Sequence, residues 1–116
     1  MISGIDLNAT VDYKVKSDTK DPTIWKIGVI PTLVFMNLVQ NTSEDRVKAS
    51  YEILQLSLKG WENFNIPYET AEEEIYGRKL KVVPLSIIER IPMDCLFELA
   101  EKAIEVNSVS EKERKN

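Results

Sequence analysis

The side chains of this chain that could do acid–base or nucleophilic work are carboxylates, chiefly Glu73, Glu74, Glu89 and Asp94, and the one thiol, Cys95. Two carboxylates can act as general acid and base where a fold brings them together and raises one pKa, and a sequence leaves that separation open. Histidine is absent. With it goes the commonest proton shuttle near neutral pH, the usual partner of a Ser or Cys nucleophile, and the commonest transition-metal ligand. Cys95 sits in an apolar helical pattern beside Asp94, which predicts a thiol pKa above its ordinary value and a place in the core. A nucleophilic cysteine needs a neighbour that stabilises the thiolate instead. Gly4, Gly28, Gly60 and Gly77 stand far apart, so neither a phosphate-cradling loop nor a dinucleotide fingerprint is present. Glu72, Glu73 and Glu74 are consecutive, but a hard cation needs several oxygens converging from a shaped loop, and no such ligand spacing occurs. That run reads as a solvated loop. The expectation is a chain with no catalytic residue, no cofactor and no metal.

Function by binding is then the leading reading, with a protein as the partner. Trp61 and Phe64, in Gly60-Trp61-Glu62-Asn63-Phe64, either close a helix and enter the core or stand partly exposed as an anchor, since Trp buries much area at small entropic cost. A second candidate surface is the wide apolar arc of a C-terminal helix, carrying Met93, Phe97, Leu99 and Val106, and homodimerisation through that arc is expected. The edge of the N-terminal strand is a third. A different class of function, an acidic regulator occupying a basic partner, requires residues 69–74 with Glu98, Glu101 and Glu105 to form one negative face. Lys102 interrupts that face, and spacings of three and four suit any solvated helix.

Charge excludes other partners. The net charge is −4; residues 1–68 hold 8 acidic and 7 basic groups, and residues 69–116 hold 11 and 8. No basic cluster is free of interleaved acid, so nucleic acid is not expected as a partner. The single cysteine allows no internal disulfide and suits a reducing compartment. The opening Met-Ile-Ser-Gly-Ile-Asp lacks the pattern of a signal peptide. The apolar stretch 27–39 contains Pro31 and Asn37 and falls short of the roughly 20 residues of a spanning helix. A cytoplasmic protein without a membrane partner is expected.

These residues need elements to position them. Residues 10–16 alternate, with Val11, Tyr13 and Val15 on one side, and predict a strand with one wet face. Turn formers follow at 17–22, and residues 23–30, β-branched and carrying Trp25, predict a second strand. Together they predict a hairpin with a loop of about five residues. Residues 31–39 read equally as a helix burying Leu33, Val34, Met36 and Leu38 or as a strand. Residues 43–59 predict a helix capped by Thr42 or Ser43, with Val47, Tyr51, Leu54 and Leu58 on one face. Gly60 would be its left-handed C-terminal residue, with Trp61 packing back on Leu56. Residues 61–77 read as a connector. Residues 80–83 read as a short strand pairing near 66–69 or with the first hairpin. Residues 92–106 predict a second helix, ended by Asn107.

With 116 residues, 43% of them apolar and 29% charged, the chain has material for one core and not two. The expected architecture is α+β: a small antiparallel sheet, led by the N-terminal hairpin, packed against two main helices. Residues 1–107 form the domain and 108–116 a polar tail, either solvated or ordering on a partner. Three stretches add a resemblance: Leu58-Lys59-Gly60-Trp61-Glu62-Asn63-Phe64 after a helix, Ile87-Ile88-Glu89-Arg90-Ile91-Pro92 before an apolar helix, and the closing run from Asn107. In this order, over residues 47–116, the chain resembles small morphogenesis proteins of tailed bacteriophages and prophages, tail-assembly chaperones among them. Asn65-Ile66-Pro67-Tyr68 stands where those proteins carry a glycine-bearing turn. The resemblance implies a non-catalytic assembly factor or minor structural protein, acting in the bacterial cytoplasm or in the virion.

Overall fold

Alternation at the N-terminus does produce a strand, and the aromatic residues set its register. In the computed structural model, which describes residues 1–40 and 45–108, β1 (Thr10–Tyr13) runs antiparallel to β2 (Ile24–Gly28). β2 is flanked on its other side by antiparallel β3 (Leu58–Glu62). Tyr13 lies opposite Trp25, and Trp25 opposite Trp61, so three aromatic rings cross the sheet in one row. Cross-strand aromatic pairs of this kind are what hold a small sheet in register. The opposite face carries Lys26 between Asp12 and Glu62, at 3.4 and 3.3 Å, in the open.

A second sheet is a lone hairpin, β4 (Ala71–Ile75) with β5 (Arg78–Val82). Tyr76 and Gly77 turn it at φ +50° and +75°, the two positive angles of a type I′ turn. Among the described residues four helices complete the fold: α1 (Thr32–Gln40), α2 (Arg46–Ser57), the single turn α3 (Leu85–Ile88) and α4 (Met93–Asn107). The architecture is α+β, with α4 against β2 and α2 touching α1, α3, α4, β3 and β5. Ile27, Val34, Leu38, Ile53, Leu54, Leu58, Val82, Val83, Ile88, Leu96 and Leu99 fill the core.

Several expectations are corrected here. The first hairpin has a loop of ten residues, 14–23, because Val15 leaves the strand to become buried and Asp18 then folds the chain back by accepting from the Thr23 N–H at 2.8 Å. Residues 32–40 are helical, and the buried side is Val34, Phe35 and Leu38, whereas Leu33 and Met36 face outward. Asp45 caps α2, its carboxylate accepting from the Lys48 N–H at 3.0 Å; Thr42 and Ser43, the expected caps, lie outside the described residues, as do residues 109–116 of the tail. Gly60 is no helix terminator. α2 passes straight into β3, and its last turn finds other partners: the Leu54 carbonyl takes the Leu58 N–H, and the Gln55 carbonyl takes the Val83 N–H at 2.8 Å. The residue just past β5 thus supplies the donor that a glycine cap would have supplied. Part of the expected connector 61–77 is strand β4, so β5 pairs with it and not with residues 66–69 or the first hairpin.

Asn107 does more than end α4. Its Nδ2 donates to the carbonyls of Ala103 at 2.8 Å and Gly28 at 3.3 Å, and its Oδ1 accepts from the Ile30 N–H at 2.7 Å. One amide therefore joins the end of the longest helix to the end of β2. Asn107→Ala leaves the N–H of buried Ile30 without its acceptor and is expected to cost about 2 kcal/mol, read as a lower urea midpoint with an unchanged slope.

Candidate functional site

Trp61 and Phe64, singled out as a possible anchor, are shared between core and surface. β3 delivers Trp61 to Trp25, their ring centroids 5.6 Å apart and edge-on. Phe64, just past the strand, lies 4.9 Å from Trp25 and 5.4 Å from Trp61, and Tyr68 closes on Trp61 at 5.0 Å. Asn63 makes the bend between them at φ +62°, a conformation asparagine tolerates better than most residues. The loop is pinned from both directions. The Trp61 Nε1–H donates to the Ile66 carbonyl at 2.7 Å, and the Tyr68 hydroxyl donates to the Leu58 carbonyl at 2.7 Å. Edge-to-face rings, with the polar tips of Trp61 and Tyr68 satisfied, make a stable cluster, although the buried Trp25 Nε1–H finds no partner among the described residues. Both Trp61 and Phe64 are half-buried.

The apolar arc of α4 divides in a similar way. Leu99 is fully enclosed with Leu96, Ala100 and Ala103, so it offers nothing to a partner. Phe97 is half-buried beneath the Arg46 guanidinium, which sits 5.5 Å from its ring centre and also meets Glu101 at 3.5 Å. Met93 is 63% exposed. Val106 lines a recess of about 300 Å³ together with Ile5, Val29, Ile30, Thr32, Phe35 and Asn107. That recess lies where the N-terminal segment, the start of α1 and the end of α4 meet.

The helix that lines it with Thr32 and Phe35 also carries two apolar side chains whose pattern reads as core. On α1, Leu33 is 70% exposed and Met36 53% exposed; in the N-terminal segment Ile2, Ile5 and Leu7 are exposed as well. The signal that could have found them is positional. Pro31 sets the start of α1, and with Phe35 inside, the spacing 34, 35, 38 leaves 33 and 36 on the outer side.

The carboxylates are distributed and mostly engaged. Glu73 and Glu74 belong to β4, Glu89 follows α3, and Asp94 lies in the first turn of α4, where it accepts from the Cys95 N–H at 3.0 Å. Glu101 pairs with Arg46, and Glu105 with Lys102 at 3.3 Å. Glu98 accepts from the Tyr13 hydroxyl and from the Lys16 N–H, at 2.9 Å for the latter. Glu98, Glu101 and Glu105 are thus each tied to a neighbour on this chain. Burial first, and Asp94 next, push the Cys95 thiol up, away from thiolate chemistry. No three Cys, Asp, Glu or His side chains among the described residues could hold a metal ion together. No helix among the described residues is long and apolar enough to cross a membrane.

No protein-family model, curated protein or solved structure matches this chain.

Two expected outcomes follow from these contacts. Trp61→Ala removes a half-buried ring held by three aromatic neighbours and is expected to cost about 3 kcal/mol, the low end for such truncations, in a chemical melt followed by circular dichroism. The Tyr13–Glu98 hydrogen bond holds the Glu98 carboxyl below its usual value and pushes the Tyr13 phenol up to about 12. The lowered carboxyl contributes stability that is full above pH about 4.5 and fades as pH falls through the folded value. The raised phenol contributes stability present below pH 10 and lost between 10 and about 12. Tyr13→Phe is expected to lose about 1 kcal/mol at pH 7, and its deficit should shrink in urea melts repeated at pH 3.

Proposed function

We propose that this protein works by binding another protein chain and not by catalysis, through the end of the molecule where α1, the N-terminal segment and the end of α4 meet. The observation that carries the reading is the outward pair Leu33 and Met36, 70% and 53% exposed, beside an apolar recess whose wall includes Phe35 of the same helix. Apolar side chains grouped beside a concave apolar surface are what a protein interface is built from. The carboxylates offered for catalysis sit on three separate elements, which weighs against a paired acid and base. A role as a phage or prophage assembly factor, or as a minor component of the particle, is proposed from the sequence resemblance alone. Self-association into a homodimer through the α1 end is the simplest form of the interaction.

Light scattering coupled to size-exclusion chromatography tests it. The wild-type chain is expected to gain mass with concentration, and the double variant Leu33→Glu, Met36→Glu to stay monomeric with an unchanged melting temperature, since exposed positions tolerate charge. A wild-type monomer at every concentration removes self-association and leaves a different chain as the partner. A variant that unfolds shows both side chains to be structural and removes the proposed surface.

A further inference from the structure

A second concave surface lies at the opposite end of α1, and its chemistry differs from that of the first. Leu38, one turn after Phe35, forms part of its floor with Leu56 of α2 and Ile75 of β4; Glu52, Gln55, Glu73 and Tyr76 complete a cleft of about 200 Å³. Glu52, Gln55 and Leu56 share one face of α2 by their spacing of three and four. Glu73 is set apart from its acidic neighbours by register. Glu72 and Glu74 lie opposite Lys81 and Lys79, whereas Glu73 lies opposite Leu80. It thus shares one side of the hairpin with Ile75, Leu80 and Val82, which pack on the core, and with Arg78 beside the turn. Neither Glu52 nor Glu73 makes an ion pair with a described residue. One N–H of the Gln55 amide donates to the Val83 carbonyl at 3.1 Å, and its oxygen remains as an acceptor. The cleft therefore combines an apolar floor, two carboxylates and an amide oxygen, with the Tyr76 phenol at its rim.

We propose that this cleft receives an arginine side chain from a protein partner. The proposal rests on the protein-binding reading and assigns one anchor of that partner. A guanidinium brings five donors and no acceptor, matching an acceptor-rich rim, while its aliphatic stem covers an apolar floor and its plane stacks on an aromatic ring. Lysine offers a more strongly hydrated point charge and fits less well. Tyr76 adds a separate argument. It is 51% exposed yet occupies, at φ +50°, a turn position that asparagine or glycine fills with less strain. Its ring contributes little to the core, so an aromatic surface beside two carboxylates is a reason for its place there.

Chemical-shift titration of the isotope-labelled protein with blocked arginine (N-acetyl-arginine methylamide), blocked lysine and blocked norleucine tests the assignment. Arginine is expected to give saturable shifts confined to Gln55, Ile75 and Tyr76, with lysine weaker and norleucine silent. The double variant Glu52→Gln, Glu73→Gln should bind about tenfold more weakly, and the response should fall with added salt. Tyr76→Asn should weaken arginine binding while raising the melting temperature, because it relaxes the turn. Shifts of equal size at Glu89, Asp94 or other exposed carboxylates, or binding unchanged in the double variant, overturn the proposal. A wild-type protein that gives no shift overturns it too. None of these results bears on the α1 surface, which is judged by the Leu33 and Met36 variants, so the two readings fail separately.

Discussion

Helix α2 has almost no side left for water in its second half: Ile53, Leu54, Leu56 and Ser57 are all buried, spread over three directions of the helix. Every other part of the core is arranged by this demand. α4 covers one flank, α1 and α3 cover others, and the end of β5 lies across its last turn. Without that cover α2 would expose apolar surface on all sides, and a helix of twelve residues does not hold its shape in water by propensity alone. The direct passage from Ser57 into Leu58 has a further effect. Because no loop intervenes, the direction of α2 fixes the placement of β3, and β3 fixes where Trp61 meets Trp25.

Much of the fold was legible because its patterns were regular. The alternation Val11, Tyr13 and the β-branched run around Trp25 gave a true hairpin, and the apolar spacing from Met93 to Val106 gave a true helix. What could not be read depended on distant partners. Gly60 looked like a helix terminator because the Val83 N–H that completes the last turn of α2 is 28 residues away from Gln55. The strand β4 was hidden by its composition: Glu72, Glu73 and Glu74 are poor strand formers, and only the lysines across from two of them make the pairing favourable. The turn at Tyr76 lacked the asparagine that usually announces it. In the sequence Asn107 reads as an ending, whereas its amide is a joint whose partners, Gly28 and Ile30, no local pattern reveals.

The candidate surfaces show the same division. Half-burial of Trp61 and Phe64 follows from a cluster of four rings that the sequence spreads over 44 residues, Trp25 to Tyr68. Leu99 was placed on the surface arc because a wide apolar stripe does not say which part of it meets another helix. Leu33 and Met36 were assigned inward for the opposite reason: their partner on the inside turned out to be Phe35. Position on a helix is a statement about relative angle, and the absolute orientation comes from the packing of neighbours. The absence of histidine and of clustered glycines, in contrast, was readable from the sequence alone.

The edge-on approach of Trp25 and Trp61 carries a consequence for how this molecule can be observed. Two indoles 5.6 Å apart and inclined at 68° are close enough for their electronic transitions to couple, and such coupling gives a paired positive and negative band in circular dichroism. The two rings sit on neighbouring strands but on opposite sides of α1 and α2 in the chain, so the band exists only while the central sheet is assembled. Their surroundings also differ, since Trp61 gives its N–H to a carbonyl while Trp25 is enclosed by other rings. The protein thus carries an internal optical gauge that separates assembly of its sheet from formation of its helices.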